Sequence, residues 1–138
     1  MKKILFLIVL GSVLSCKQKI MDADISNLNG YWEIEKVELP DGDKKEYKVN
    51  ETIDFFKIEG NKGFRKKVMP QLDGTYLTND IQEDIVVAIK DGDALIQYKT
   101  TYASWQEEII ELKKDKLVVK NEQDLEYHYK RPAKFSVK

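Results

Sequence analysis

The chain has 138 residues, 23 of them basic and 24 acidic, for a formal net charge of −1. So even a balance lacks the clustered basic field that nucleic acid requires, and nucleic acid is excluded as a partner class. A single cysteine cannot form an internal disulfide, so no disulfide scaffold is expected.

The chain opens with Lys2 and Lys3, continues with an apolar run over residues 4–14 broken only by Gly11 and Ser12, and stops at Val13-Leu14-Ser15-Cys16. A run of about eleven residues is too short for a bilayer span, which takes about twenty. It suits the hydrophobic region of a secretory signal instead. Its ending resembles the lipobox of bacterial lipoproteins. That resemblance implies cleavage before Cys16, a diacylglycerol on its sulfur and often a further acyl chain on the new amine. Two or three acyl chains exceed the two-signal threshold for stable anchoring. Residues 1–15 are therefore expected as a signal peptide and 16–29 as the lipidated cysteine and a tether. Residues 30–131 are expected as one folded domain and 132–138 as a tail. The tether has room for a helical turn capped by Asp24 or Ser26.

From Gly30 onward, short runs rich in Tyr, Val, Ile, Phe and Thr alternate with turn residues such as Asp41-Gly42, Gly60-Asn61, Asp91-Gly92 and Lys114-Asp115. Strands are predicted at 31–39, 50–58, 63–69, 75–78, 83–90, 94–102, 105–113, 116–120 and 124–131. The fold class is all-β, and a meander of this kind suits a small up-and-down barrel of eight to nine strands or a sandwich. Closure through the first and last strands removes exposed edges, which favours the barrel. Alternation assigns faces. Ala94, Ile96, Tyr98, Thr100 and Tyr102 share one; Leu117 and Val119 face inward; Leu125, Tyr127, Tyr129 and Arg131 share another. Phase slips at Glu35-Lys36 and Phe55-Phe56 predict β-bulges.

Leu28-Asn29-Gly30-Tyr31-Trp32 resembles the Gly-x-Trp opening of lipocalins and, more closely, of small lipocalin-like lipoproteins of Gram-negative bacteria, especially Bacteroidetes. The resemblance covers residues 28–131. It implies that Gly30 lets the chain enter the first strand, that Trp32 plugs the closed end, and that Arg131 stacks over the indole from the end of the last strand. The sequence departs from classical lipocalins in lacking the Thr-Asp-Tyr motif, a disulfide pair and a clear helix after Pro132. Its barrel is also shorter. An eight-stranded barrel is either filled by side chains or holds one small ligand.

Catalytic and metal chemistry is sparse. His128 is the only histidine, and alternation places it on the solvent face between Glu126 and Lys130, as a surface histidine. With one histidine and one lipidated cysteine, no zinc or copper site of ordinary composition is expected, and no cofactor. Glu83-Asp84, Glu107-Glu108, Glu111, Asp91 and Asp93 read as solvated strand faces or turns. Asp41-Gly-Asp43 and Asp91-Gly-Asp93 lack the further oxygens of a calcium loop. Lys62, Arg65, Lys66 and Lys67 around Phe64 read as a solvated hairpin, with anionic headgroups near the anchor as the sharper alternative.

The inward tyrosines stand out, because a dry core prefers side chains without hydroxyls. Tyr98, Thr100, Tyr102, Tyr127 and Tyr129 are the candidate ligand-binding residues, with Trp32 beside them. Their hydroxyls either line a cavity or reach water at the rim. The expectation is a non-catalytic, lipid-anchored envelope protein binding a small apolar or amphipathic molecule. The alternative is a protein-interaction or inhibitor module with a filled core. Lys17 follows Cys16 where an inner-membrane lipoprotein would carry aspartate, and no acidic export run follows. The expected location is thus the outer membrane, on its periplasmic face.

Overall fold

A computed structural model describes residues 17–133. Within them a 3₁₀ helix, Asp22–Leu28, precedes ten strands: β1 Gly30–Glu38, β2 Lys44–Glu46, β3 Ile53–Glu59, β4 Lys62–Pro70, β5 Tyr76–Thr78, β6 Glu83–Lys90, β7 Asp93–Lys99, β8 Ser104–Leu112, β9 Lys116–Lys120 and β10 Glu126–Lys130. Eight of them close into an antiparallel barrel in the order β1-β3-β4-β6-β7-β8-β9-β10, with β10 returning to β1. The short strands β2 and β5 lie outside this ring, on β1 and β4 respectively. Closure satisfies the ladder groups of the first and last strands, which an open meander would leave free.

Most of the expected strands are present, with informative differences. β2 was not anticipated, because Lys44-Lys45-Glu46 carries no apolar alternation; it is exposed and held by its ladder to β1. The slip at Glu35-Lys36 is a bulge, seen as a register shift between Ile34 and Lys36 against β10. The slip at Phe55-Phe56 is not: β3 runs in unbroken register with β4. Phe55 turns outward against Tyr31, which stacks on Tyr76, while Phe56 turns into the core. The second bulge lies in β8 instead, between Ile109 and Glu111.

The expected tether is part of the fold. Ile20, Ile25 and Leu28 are buried in the same core as the barrel. Asp24 accepts the Met21 N–H at 2.9 Å, which starts the 3₁₀ helix. Gln18 is bonded to β8 beside its bulge, its N–H donating to the Ile110 carbonyl. Its side chain bonds both the N–H and the carbonyl of Leu112. Three apolar residues and one amide thus convert a linker into a plug. The lipobox, Cys16 and the last five residues of the expected tail lie outside the described residues, and no described helix is long and apolar enough to cross a membrane.

Inside, the barrel is layered. The closed end is apolar: Leu28, Trp32, Leu112 and Leu117 are each no more than 1 % exposed. A middle layer of Phe56, Ile85, Ile96, Ile109 and Val119 follows. Towards the other end, the inward positions of β3, β4, β6, β7 and β8 carry Asp54, Arg65, Glu83, Tyr98 and Glu107.

Candidate functional site: the charged layer and mouth of the barrel

The closed end sets the frame. Trp32 donates its Nε1–H to the Leu28 carbonyl at 2.9 Å, so the burial of the indole leaves no unpaired donor. The Arg131 guanidinium lies 3.6 Å from the indole centroid. It donates to the carbonyls of Lys114, Tyr31 and Asn27 at 2.8, 3.0 and 2.9 Å. Gly30 has φ +109°, and a Cβ there would sit 3.1 Å from that guanidinium. Both the left-handed backbone and the close approach therefore call for glycine. The Asn29 side chain ties the same corner to β3, bonding both the carbonyl and the N–H of Ile58.

Above the apolar layers, Arg65 reaches across the lumen. It makes a bidentate pair with Glu83 at 2.8 and 2.6 Å, and its side chain is only 13 % exposed. Its guanidinium lies 4.2 Å from the Tyr98 ring centroid, and Tyr98 stacks on Trp105. Glu107 is buried, 3.8 Å from the far side of the guanidinium, with one carboxylate oxygen lacking a hydrogen-bond partner. Burial pushes the Glu107 carboxyl up from its ordinary value, against the pull of the Tyr98 hydroxyl and Arg65. Burial likewise holds the Tyr98 and Tyr129 phenols well above theirs, so both stay neutral donors. Asp54, 2 % exposed, meets the Lys67 ammonium at 2.6 Å nearer the mouth.

Beside this layer, along β1, β3 and β10, a cavity of about 350 Å³ reaches down to Trp32. Ile34, Val37, Val49 and Ile53 supply apolar wall, Tyr127 and Tyr129 line one side, and Asp54 and Lys67 the other. A compact molecule with an apolar body and a polar end fits such a lining.

A lipocalin-like domain model matches residues 28–119, two-thirds of the chain. The chain belongs to the lipocalin-like domain family. Solved structures similar to this lipocalin-like protein include a lipocalin-like protein from Bacteroides uniformis, at 11 % identity over 77 % of this chain and 99 % of that one, with a TM-score of 0.48. A protein from Bacteroides eggerthii is similar at 13 % identity over 76 % and 99 %, with a TM-score of 0.47. Lobster apocrustacyanin A1 is similar at 12 % over 88 % and 73 %, with a TM-score of 0.45. No curated protein matches the sequence.

In the lipocalin-like barrel the five candidate ligand-binding residues separate. Tyr127 and Tyr129 line the cavity; Asn121 donates to the Tyr127 hydroxyl at 3.3 Å. Tyr98 is buried but does not line it, its ring taken by Arg65 and Trp105. Thr100 and Tyr102 do not share the inner face: β7 stops at Lys99, Thr100 N–H bonds the Ala103 carbonyl, and Tyr102 is 96 % exposed in the turn. The alternation rule fails there because the Thr100 hydroxyl accepts from the N–H groups of Tyr102 and Ala103, which diverts the backbone into a turn.

The residues that sequence reasoning missed are Arg65, Glu83 and Glu107, all expected in solvent. The signal was present as parity. Glu107 alternates with Trp105 and Ile109, Glu83 with Ile85 and Val87, and Arg65 with Gly63 and Lys67. The basic run does split over two faces, with Lys66 near the outward Phe64 ring and Arg65 enclosed in the lumen. His128 is on the outer face, but its side chain is only 13 % exposed, so it is no ordinary surface histidine.

Proposed function

We propose that this lipocalin-like protein is a lipid-anchored envelope protein that binds one small amphipathic molecule at the mouth of its barrel, without catalysis. The observation that carries this reading is the cavity of about 350 Å³, which sets apolar and aromatic side chains beside the polar Asn50, Asp54 and Lys67. Its size is at the small end for ligand sites, which matches a barrel whose interior is largely filled by side chains. The apolar body would lie against Val37, Ile34 and Tyr127, and the polar end towards Asp54 and Lys67. In this reading Cys16 carries the lipid and the protein sits on the periplasmic face of an outer membrane. Lys17 pairs with Asp93 and Glu108, and Gln18 with Leu112, so the chain reaches the barrel beside its closed half. The mouth would then open away from the bilayer.

Native mass spectrometry of the protein purified gently from its own envelope tests this. A bound mass released on denaturation, and lost in Val37→Trp, is the expected result. A bound mass that survives Val37→Trp undiminished places the ligand elsewhere. A second reading has its own support: Leu72, Leu77 and Ile81 are exposed on and beside the β4–β5 hairpin. They suit an interaction module that meets another envelope protein at this hairpin. A consistently empty cavity, together with cross-links through that hairpin, would favour it.

A further inference from the structure

Closure of the barrel creates a cluster that the sequence separates widely. In the β1–β10 ladder Glu38 stands directly opposite Glu126, and Lys36 directly opposite His128. Glu126 and His128 are two apart on one strand and so share the outer face. Two carboxylates facing each other across a ladder repel. Here they converge on one atom: His128 Nε2 lies 3.4 Å from Glu126 Oε1 and 3.7 Å from Glu38 Oε2. That nitrogen is buried and has no hydrogen-bond partner. The other oxygen of Glu38 is held by Lys36 at 3.1 Å, which leaves Oε2 turned towards the imidazole. Val118, opposite His128 on the β9 side, is 3 % exposed, so the imidazole stands against an apolar neighbour.

We propose that Glu38, Glu126 and His128 form a binding site for a divalent cation of the zinc class, with water in the remaining position. Zinc binds imidazole nitrogen and carboxylate oxygen at about 2.0–2.2 Å, which places tetrahedral ligand atoms about 3.3–3.5 Å apart. The two imidazole–carboxylate spacings need to tighten only slightly, and the three ligand atoms all lie within 4.8 Å of one another. An imidazole nitrogen favours zinc over calcium or magnesium, which prefer cages of oxygen. Two carboxylates balance the ion's charge, and Lys36 orients one of them from behind, as outer groups do in metal sites. Lys120 stands opposite Glu126 across the β9–β10 ladder and Lys44 opposite Glu38 on β2, and their ammonium groups pair with Asp124 and Glu46. The site spans the seam between the first and last strands. An ion bound there would link the two strands whose pairing closes the barrel.

The test uses the full chain in mild detergent with Cys16→Ser, so that no thiol contributes. Zn²⁺ is titrated by calorimetry and Co²⁺ by visible absorption. The expected result is one ion per chain, an intense four-coordinate cobalt band and a rise in melting temperature with zinc. Histidine ring resonances should shift in the NMR spectrum, and His128 is the only histidine that can supply them. His128→Gln should weaken zinc by about 30-fold or more and Glu126→Gln by about 10-fold, with the metal-free melting temperature little changed. No uptake, six-coordinate cobalt, or unmoved histidine resonances on zinc addition would overturn the proposal, as would equal affinity in His128→Gln. The resonance measurement uses unaltered ligands and therefore decides the matter even if a variant folds poorly.

Discussion

At the closed end of the barrel, Trp32 sits in an apolar shell, and its one polar atom and the Arg131 guanidinium are answered by backbone carbonyls. Towards the mouth, Arg65, Glu83, Glu107 and Tyr98 fill the same cross-section with charge and hydroxyls. The first region gains from every apolar atom it removes from water. The second must offset the desolvation of three charged groups with one bidentate pair and a ring face, and leaves a Glu107 oxygen without a hydrogen bond. The difference indicates a division of labour. The closed end carries the stability, and the charged layer joins β4, β6, β7 and β8 inside the lumen at some cost to it.

The sharpest way to break this comparison is to hollow each region in turn. Trp32→Ala should cost about 3–5 kcal/mol, because it opens a large cavity and strips Arg131 of its stacking surface. Urea unfolding should show a much lower midpoint at unchanged slope. Arg65→Met should cost about 3 kcal/mol by stranding Glu83 and Glu107 together in the lumen. The informative variant is the combination Arg65→Met, Glu83→Leu and Glu107→Leu. It should recover most of that loss, since replacing a whole buried ionic group by apolar side chains is often neutral. If the triple variant is as unstable as the single one, the charged layer is a source of stability and the comparison fails.

Arg131→Lys should cost about 1–2 kcal/mol. It keeps the charge but gives up the planar stack and the fork that answers three carbonyls. The smallest effect is one of pH. Burial raises the Glu107 carboxyl, so the folded protein holds that proton where the unfolded chain has lost it. Its share of stability is full below the unfolded value near 4.5 and declines as pH rises through the raised folded value. Glu107→Gln should remove this decline, so its stability relative to wild type should improve between mildly acidic and neutral pH. A constant difference across that range would mean that the carboxyl titrates normally in the fold.

Much of the architecture was legible beforehand, and the reasons are local. Turn dipeptides mark the hairpins, and alternation in β7 places Ala94, Ile96 and Tyr98 inward, where they are each no more than 1 % exposed. Reading charge as solvent exposure was the main error. Glu107 and Arg65 occupy inward parities, and a lone carboxylate or guanidinium at such a position looks like a surface residue until its partner, 42 positions away in sequence, is brought across the lumen. The segment before Gly30 misled for a related reason: Ile25 and Leu28 keep the three-residue spacing of a 3₁₀ helix for only one turn, too short a pattern to read, and only the end of the barrel gives them and Ile20 a surface to cover.

By itself the sequence determined the strand pattern, the family and the position of Gly30-Tyr31-Trp32 at the start of β1, because these depend on residue type and short-range spacing. Tertiary structure alone decided which charges meet inside the lumen, where the filled core ends and the cavity begins, and how Glu38 comes to face Glu126 and His128. Those depend on strand register and ring closure, in which one residue of slip reverses every face, and no local pattern in the chain encodes the partner's register.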